Sequence, residues 1–439
     1  MHNYQLSIIN RRQTESHQAC LNRRQDESHQ ACLNGRGAKE EDEVNGRGAK
    51  EEGEANYPLR LRFLSGVLIG VALLFAACRG EEEIVPSTAT QTDGAEQLRS
   101  VSGFYLLNEG NMGSNKCTLD YFDYSSGIYR KNIFPERNPG VVHELGDVGN
   151  DIGIYGGKLY AVINCSHFVE VMDARTSRHL TQISVPNCRS LAFDGGYVYV
   201  TSFAGPVQVD PNARLGYVAR IDTLTMLVTD TCTVGYQPEQ LAVCGGKLYV
   251  ANSGGYRVPD YDRTVSVIDL ATFRVVKTID VAPNLQCVAA DTRRGMVYVS
   301  SRGDYTSASS AIHVIDTRTD EVTRRIPVPC STMALSGDSL YVISQNLSWH
   351  ADAPSAQYVV YDLRQEQVVS HSFITDGTEA DIAVPYGLAV NPENGDILVT
   401  DARDYVTPGR LHGYSRDGRR KWSVTTGDIP AHITFCLTF

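Results

Sequence analysis

From residue 99 to the C-terminus the sequence repeats one pattern of apolar and polar positions. A unit opens on a Pro-led run and crosses a Gly- or Asp-rich turn to an apolar triplet such as Leu248-Tyr249-Val250. A loop of variable length follows, then an alternating run ending in Asp, such as Val265-Ser266-Val267-Ile268-Asp269. A second alternating run, such as Val276-Lys277-Thr278-Ile279-Asp280-Val281, closes the unit. Alternation at period two marks half-buried strands. The Asp-bearing run falls at Asp123, Asp173, Asp222, Asp269, Asp316 and Asp362, with Ser415 in the seventh copy, at spacings of 50, 49, 47, 47, 46 and 53. A period of about 45–50 residues with four strands per unit predicts an all-β fold, a seven-bladed β-propeller.

The pattern also predicts how the ring shuts. Innermost strands are expected at 151–155, 190–193, 240–243, 287–290, 332–335 and 387–390, whereas the strand at 104–107 has none before it. The missing one is expected at 429–435, a Pro-led run with no blade after it, pairing into the first blade. Closure removes a strand edge that would otherwise recruit another chain. The repeated Asp is read as a turn residue whose carboxylate accepts backbone N–H groups, in preference to a metal ligand.

Residues 1–56 follow a different rule. The stretch 11–22 recurs almost letter for letter at 23–34, and 34–44 recurs at 45–55. The repeats have no apolar face to bury, so they are read as a leader absent from the mature protein. Residues 57–77 carry Arg60 and Arg62, an apolar run at 63–77 and small residues before Cys78, the layout of a secretory signal peptide. Ala76-Ala77-Cys78 resembles the lipobox of bacterial lipoproteins, with Phe75 where Leu is usual. Lipidation is therefore expected at Cys78. The cluster Glu81-Glu82-Glu83 behind it resembles a surface-export signal, and 78–98 is read as a lipidated tether to a propeller spanning 99–439.

The charge narrows the partners. The net charge of −11 argues against nucleic acid, whose phosphates are bound through Lys and Arg. Residues 1–77 hold ten basic and ten acidic side chains, so the remainder keeps the whole excess. Beyond Cys78 lie Cys117, Cys165, Cys188, Cys232, Cys244, Cys287, Cys330 and Cys436, with no zinc spacing and no pair the sequence can name. G-x-S-x-G, H-E-x-x-H and phosphate-loop motifs are absent. No catalytic residue, metal or cofactor is assigned.

Propeller strands are scaffold, and recognition belongs to the loops of one rim. The loops after each apolar triplet (108–118, 202–216, 252–264, 301–311, 344–357 and 401–410) open on the same face as the starts of the Pro-led runs. They bring Tyr256, Tyr261, Arg302, Tyr305, Trp349, Arg403 and Tyr405, and the Pro-led edges add Arg189, Gln237, Glu239, Tyr386 and His432. Rigid aromatics with orienting polar groups suit a sizeable ligand. Ser301-Arg302-Gly303-Asp304-Tyr305 and Asp401-Ala402-Arg403-Asp404-Tyr405 share Arg, Asp and Tyr, which predicts a structural loop with an internal Arg–Asp pair. His350 or His432 with Glu239 keeps a lyase or hydrolase reading open. A protein-binding adhesive module is the third reading.

Leu107-Asn108-Glu109-Gly110, Tyr249-Val250-Ala251-Asn252-Ser253-Gly254 and Thr264 to Asp269 resemble the YVTN-type, YncE-like seven-bladed propellers. Phe373-Ile374-Thr375-Asp376-Gly377-Thr378, Pro385-Tyr386-Gly387, 395–409 and 422–432 resemble the BtuG-type propeller lipoproteins of Bacteroidetes surfaces. That resemblance implies a lipid-anchored, surface-exposed outer-membrane protein that captures vitamin B12 (cobalamin). It also implies that the ligand passes to a TonB-dependent outer-membrane transporter.

Overall fold

The computed structural model describes residues 86–141, 144–345 and 356–438. The expected Cys78, Trp349 and His350 lie outside them. The described residues form seven antiparallel sheets, one per repeat. Blade four shows the plan: Pro238–Cys244 is innermost, followed outward by Lys247–Asn252, Thr264–Asp269 and Arg274–Asp280. The innermost strands of successive blades lie side by side around the axis.

Blade one is assembled from both ends of the chain. Pro430–Leu437 pairs with Val101–Asn108, setting Phe104 opposite Phe435 and Leu107 opposite His432, and so closes the ring as expected. Its outer side differs from the sequence reading. Thr88–Gln91, placed in the tether, pairs with Ile128–Lys131 as a fifth strand. Gly94 then packs under Trp422, and Lys421 binds Glu96 at 3.0 Å. The fold thus begins about ten residues before the boundary drawn at 99. The strand is fully exposed, so it leaves no apolar alternation to read.

The core lies between blades. Tyr160, Val162, Val169 and Val171 of blade two pack on Leu191, Val198, Val200 and Ile221 of blade three. At the closure, Phe104, Leu106 and Phe122 of blade one meet Leu398, Leu411 and Trp422 of blade seven. The Trp422 ring stacks on Phe122 with centroids 5.0 Å apart. Each sheet therefore needs its neighbour to bury its apolar face.

The repeated Asp residues act as read. Asp173 accepts the Arg175 and Thr176 N–H groups, Asp222 those of Leu224 and Thr225, and Asp362 those of Arg364 and Gln365. In the seventh copy Ser415 Oγ takes the part, accepting the Arg419 N–H at 3.2 Å.

A second repeated device matters more for the site. Near the start of the innermost strand the register shifts in blades one to five and in blade seven, whereas blade six pairs evenly. A bulge frees a backbone group and re-aims a side chain. Hydroxyls on the neighbouring strand satisfy the freed N–H groups. Ser190 N–H donates to Thr201 Oγ1 at 3.0 Å, Cys287 N–H to Ser300 Oγ at 2.9 Å and Gly387 N–H to Thr400 Oγ1 at 2.6 Å. The shifted segments carry Asn150, Arg189, Glu239 and Tyr386, one per blade, at the strand ends facing the long loops.

Candidate functional site

Those strand ends and the long loops meet at the mouth of the channel. Arg189, from the bulge of blade three, reaches two other blades. Its Nε and Nη2 donate to Glu239 Oε2 of blade four at 3.2 and 3.1 Å, and its Nη1 donates to Asn150 Oδ1 of blade two at 3.2 Å. The guanidinium also lies 4.7 Å from the centroid of Phe203. Burial alone would lower the Arg189 pKa, but Glu239 outweighs it and holds the cation. Beside this pair, Asp151 accepts the Ser190 hydroxyl at 2.5 Å and the Leu191 N–H at 3.0 Å, joining blade two to blade three.

A second network sits at the closure. Glu109 lies in the loop of blade one, His432 in the closing strand and Tyr386 in the bulge of blade seven. His432 Nε2 is 3.3 Å from Glu109 Oε1, and Tyr386 donates its hydroxyl to Glu109 Oε2 at 3.0 Å. Burial would lower the His432 pKa, yet the Glu109 carboxylate outweighs it and raises the pKa above that of a free imidazole. Burial and then Glu109 raise the Tyr386 pKa, which keeps that phenol a donor. The Tyr386 ring meets Tyr405 edge-on at 5.9 Å.

The tyrosines complete the mouth. Tyr256 packs edge-on to Phe203 at 6.3 Å, with its backbone N–H fixed by Gln237 Oε1 at 2.7 Å. Tyr261 meets Tyr305 at 6.2 Å. Tyr305 and Tyr405 are 41% and 40% exposed, so their faces are open to a ligand. Both have left-handed backbone, at φ 61° and 63°.

Arg189, Glu239, Tyr256, Arg302, Tyr305, Tyr386, Tyr405 and His432 are thus brought into one electrostatically connected group. Tyr261 joins it through Tyr305. Arg403 is exposed and donates to the Pro408 carbonyl at 3.4 Å, within its own loop.

Two expectations are corrected. His432 pairs with Glu109, because Glu239 is taken by Arg189. The shared loop of blades five and seven has no internal Arg–Asp pair. Asp304 accepts the N–H groups of Thr306, Ser307 and Ala308, and Asp404 those of Val406 and Thr407. Gly303 and Arg403 both have positive φ, as do Tyr305 and Tyr405, so Arg302 corresponds to Ala402 and not to Arg403.

Glu109, Asn150, Asp151 and Phe203 were not foreseen as site residues. Glu109 stood in the Leu-Asn-Glu-Gly motif, but nothing local signals that its partner lies at the other end of the chain. All eight cysteines from Cys117 to Cys436 are free thiols. Cys287 Sγ donates to the Ser331 carbonyl at 3.5 Å between blades five and six, and the neighbouring Cys287 together with burial pushes the Cys330 thiol pKa up. A cleft of about 360 Å³ between the outer strands of blades five and six, lined by Arg324, Pro327, Val359 and His371 among others, holds none of the mouth residues.

The chain belongs to the family described as a domain of unknown function, DUF5074, which matches residues 102–412. No curated protein matches it. Similar solved structures include Kuenenia stuttgartiensis hydrazine synthase, 16% identical with a TM-score of 0.49, covering 61% of this chain and 77% of that one. The computationally designed Ika8 protein is 12% identical with a TM-score of 0.47, covering 78% of this chain and 93% of that one.

Proposed function

We propose that this propeller is a binding protein whose channel mouth captures a large polar small molecule, cobalamin being the ligand to test first. In this reading acylated Cys78 holds it on the outer face of an outer membrane, beside a TonB-dependent transporter that receives the ligand. The observation that carries the binding reading is the convergence of groups from blades one to five and seven on one mouth, with its ion pairs already formed. Arg189–Glu239 and His432–Glu109 are locked in place, so the surface is ordered before a ligand arrives, which lowers the entropic cost of binding. The open faces of Tyr305 and Tyr405 supply rigid contact area. The corrinoid identity, the membrane anchor and the transporter draw their support from the sequence resemblance.

The test is calorimetry of cyanocobalamin with the propeller produced without Cys78. Saturable heat is expected, abolished by combined Tyr256→Ala, Tyr305→Ala and Tyr405→Ala. No heat and no retention on a cobalamin resin would reject cobalamin. Radiolabelled palmitate incorporation that disappears in Cys78→Ala, together with protease shaving of intact cells, tests the anchor and the exposure.

One observation favours a second reading, a lyase or hydrolase. His432, whose pKa the Glu109 carboxylate raises against the effect of burial, is placed as a general acid beside the Tyr386 phenol. Turnover of a candidate substrate that His432→Ala abolishes, with folding intact, would favour it.

A further inference from the structure

The arginines of the mouth face divide into two kinds. Arg189, Arg257 and Arg403 all donate to protein acceptors: Glu239 with Asn150, the Asp260 carbonyl and the Pro408 carbonyl. Arg302, like Arg214 and Arg410 of the same set of loops, is exposed, and its guanidinium has no hydrogen-bond acceptor and no ion-pair partner among the described residues. Its backbone is nonetheless fixed. The Arg302 N–H donates to the Asn284 carbonyl at 2.9 Å, and Ser301 Oγ donates to the Pro283 carbonyl at 2.6 Å. Gly303 follows at φ 75°, where a Cβ would collide with the Ala308 carbonyl.

The loop does not need an arginine there. Blade seven has Ala402 at the equivalent place, before a residue at positive φ as in blade five, and the Ala402 N–H donates to the Val384 carbonyl at 2.9 Å just as Arg302 does to Asn284. The charge is therefore an addition to the scaffold. It is also central, since Tyr256, Tyr386 and Tyr405 of blades four and seven lie within its electrostatic reach, as do Tyr305 and Glu239. Two donors of a guanidinium fork match two oxygens of a carboxylate or phosphate, and such charge-assisted pairs are strong where water is partly excluded.

We propose that Arg302 is the anion clamp of the mouth, taking a phosphate or carboxylate of the ligand in a forked hydrogen bond while the Tyr305 and Tyr405 faces cover the ligand's ring system. This rests on the binding reading above and narrows its ligand to molecules with an anionic group.

The test uses small probes on the propeller produced without Cys78. Phenyl phosphate, benzoate and neutral phenol are titrated by calorimetry at low salt, with the arginine Nε–H signals followed by NMR. Phenyl phosphate or benzoate should bind and move the Arg302 signal, phenol should not, and the two anions separate phosphate from carboxylate preference. Arg302→Gln should weaken the preferred anion about tenfold or more with an unchanged melting temperature, and Arg302→Lys should restore part of the loss. Equal binding of phenol, or an unchanged anion affinity in Arg302→Gln, overturns the clamp. The two readings fail separately. Cyanocobalamin that does not bind while phenyl phosphate still moves Arg302 removes the corrinoid alone. Cyanocobalamin that binds Arg302→Gln as well as the parent removes the clamp alone.

Discussion

Breaking the Arg189–Glu239 pair should be among the costliest single changes at the mouth. The side chains are 15% and 10% exposed, and Nη2 lies 3.1 Å from Oε2. At that distance and an effective dielectric of about 20, two unit charges attract by about 5 kcal/mol. Desolvation offsets part of that gain in the intact pair, but removing one partner leaves the other charge buried, at a cost of about 3–5 kcal/mol. Glu239→Gln keeps the shape and leaves Arg189 with Asn150 Oδ1, so about 3 kcal/mol is expected. Arg189→Met strands the carboxylate and also loses the Phe203 stack, so its cost should be somewhat larger. The double variant carries neither charge and should lose at least about 2 kcal/mol less than the two singles summed. Urea unfolding of the four proteins, followed by tryptophan fluorescence, measures the cycle through the midpoints. Single variants within about 1 kcal/mol of the parent, or a cycle that is additive, would refute a buried pair coupling blade three to blade four.

Other predictions follow from particular contacts. His412 is fully buried with neither ring nitrogen hydrogen-bonded, and burial lowers its pKa to about 4, Asp401 and Asp381 opposing the shift and Arg420 and Arg410 reinforcing it. The unfolded chain binds that proton near pH 6.5, so the contribution is complete above about 6.5 and is lost as the pH falls towards 4, a change of about 3 kcal/mol. His412→Leu should remove that part of the acid sensitivity, and an identical acid loss in the variant would contradict it. Deleting residues 430–439 takes away the innermost strand of blade one and bares the edge of Val101–Asn108. Size-exclusion chromatography should show aggregate, and a soluble monomer with the parent's urea midpoint would mean the ring does not depend on this closure. Gly216 lies where a Cβ would overlap the Pro238 ring of the next blade, as Gly409 does against Pro430. Gly216→Ala should cost about 1–3 kcal/mol in urea unfolding, and a neutral result would show that the blades are not in register-tight contact.

Some of the site could be read in the sequence because each residue announced its own place. Arg189, Glu239 and Tyr386 follow the start of an innermost strand, so the repeat period alone assigned them to the rim. Tyr256, Tyr305 and Tyr405 fell in the loops that the same period defines. What the period could not assign was direction. Arg403 has the composition of a mouth residue, yet its loop turns it to the Pro408 carbonyl. Arg302 and Arg403 are alike in residue type, but Arg302 stands two positions before its Asp and Arg403 one, and the positive φ shared by Gly303 and Arg403 bears out that offset.

The amino-acid order by itself determined the architecture: seven units, Asp-anchored turns and a last strand with no blade of its own. These depend on local alternation and turn chemistry, which act between near neighbours. The tertiary structure decided which charge answers which. Glu109 meets His432 across 323 positions of chain, and Arg189 meets Glu239 across 50. It also decided that Thr88–Gln91 is a strand and that Arg302 has no side-chain acceptor among the described residues. Such pairings are set by the circular packing of the blades, which brings distant strand ends within about 3 Å, a length at which identity and geometry matter more than sequence separation.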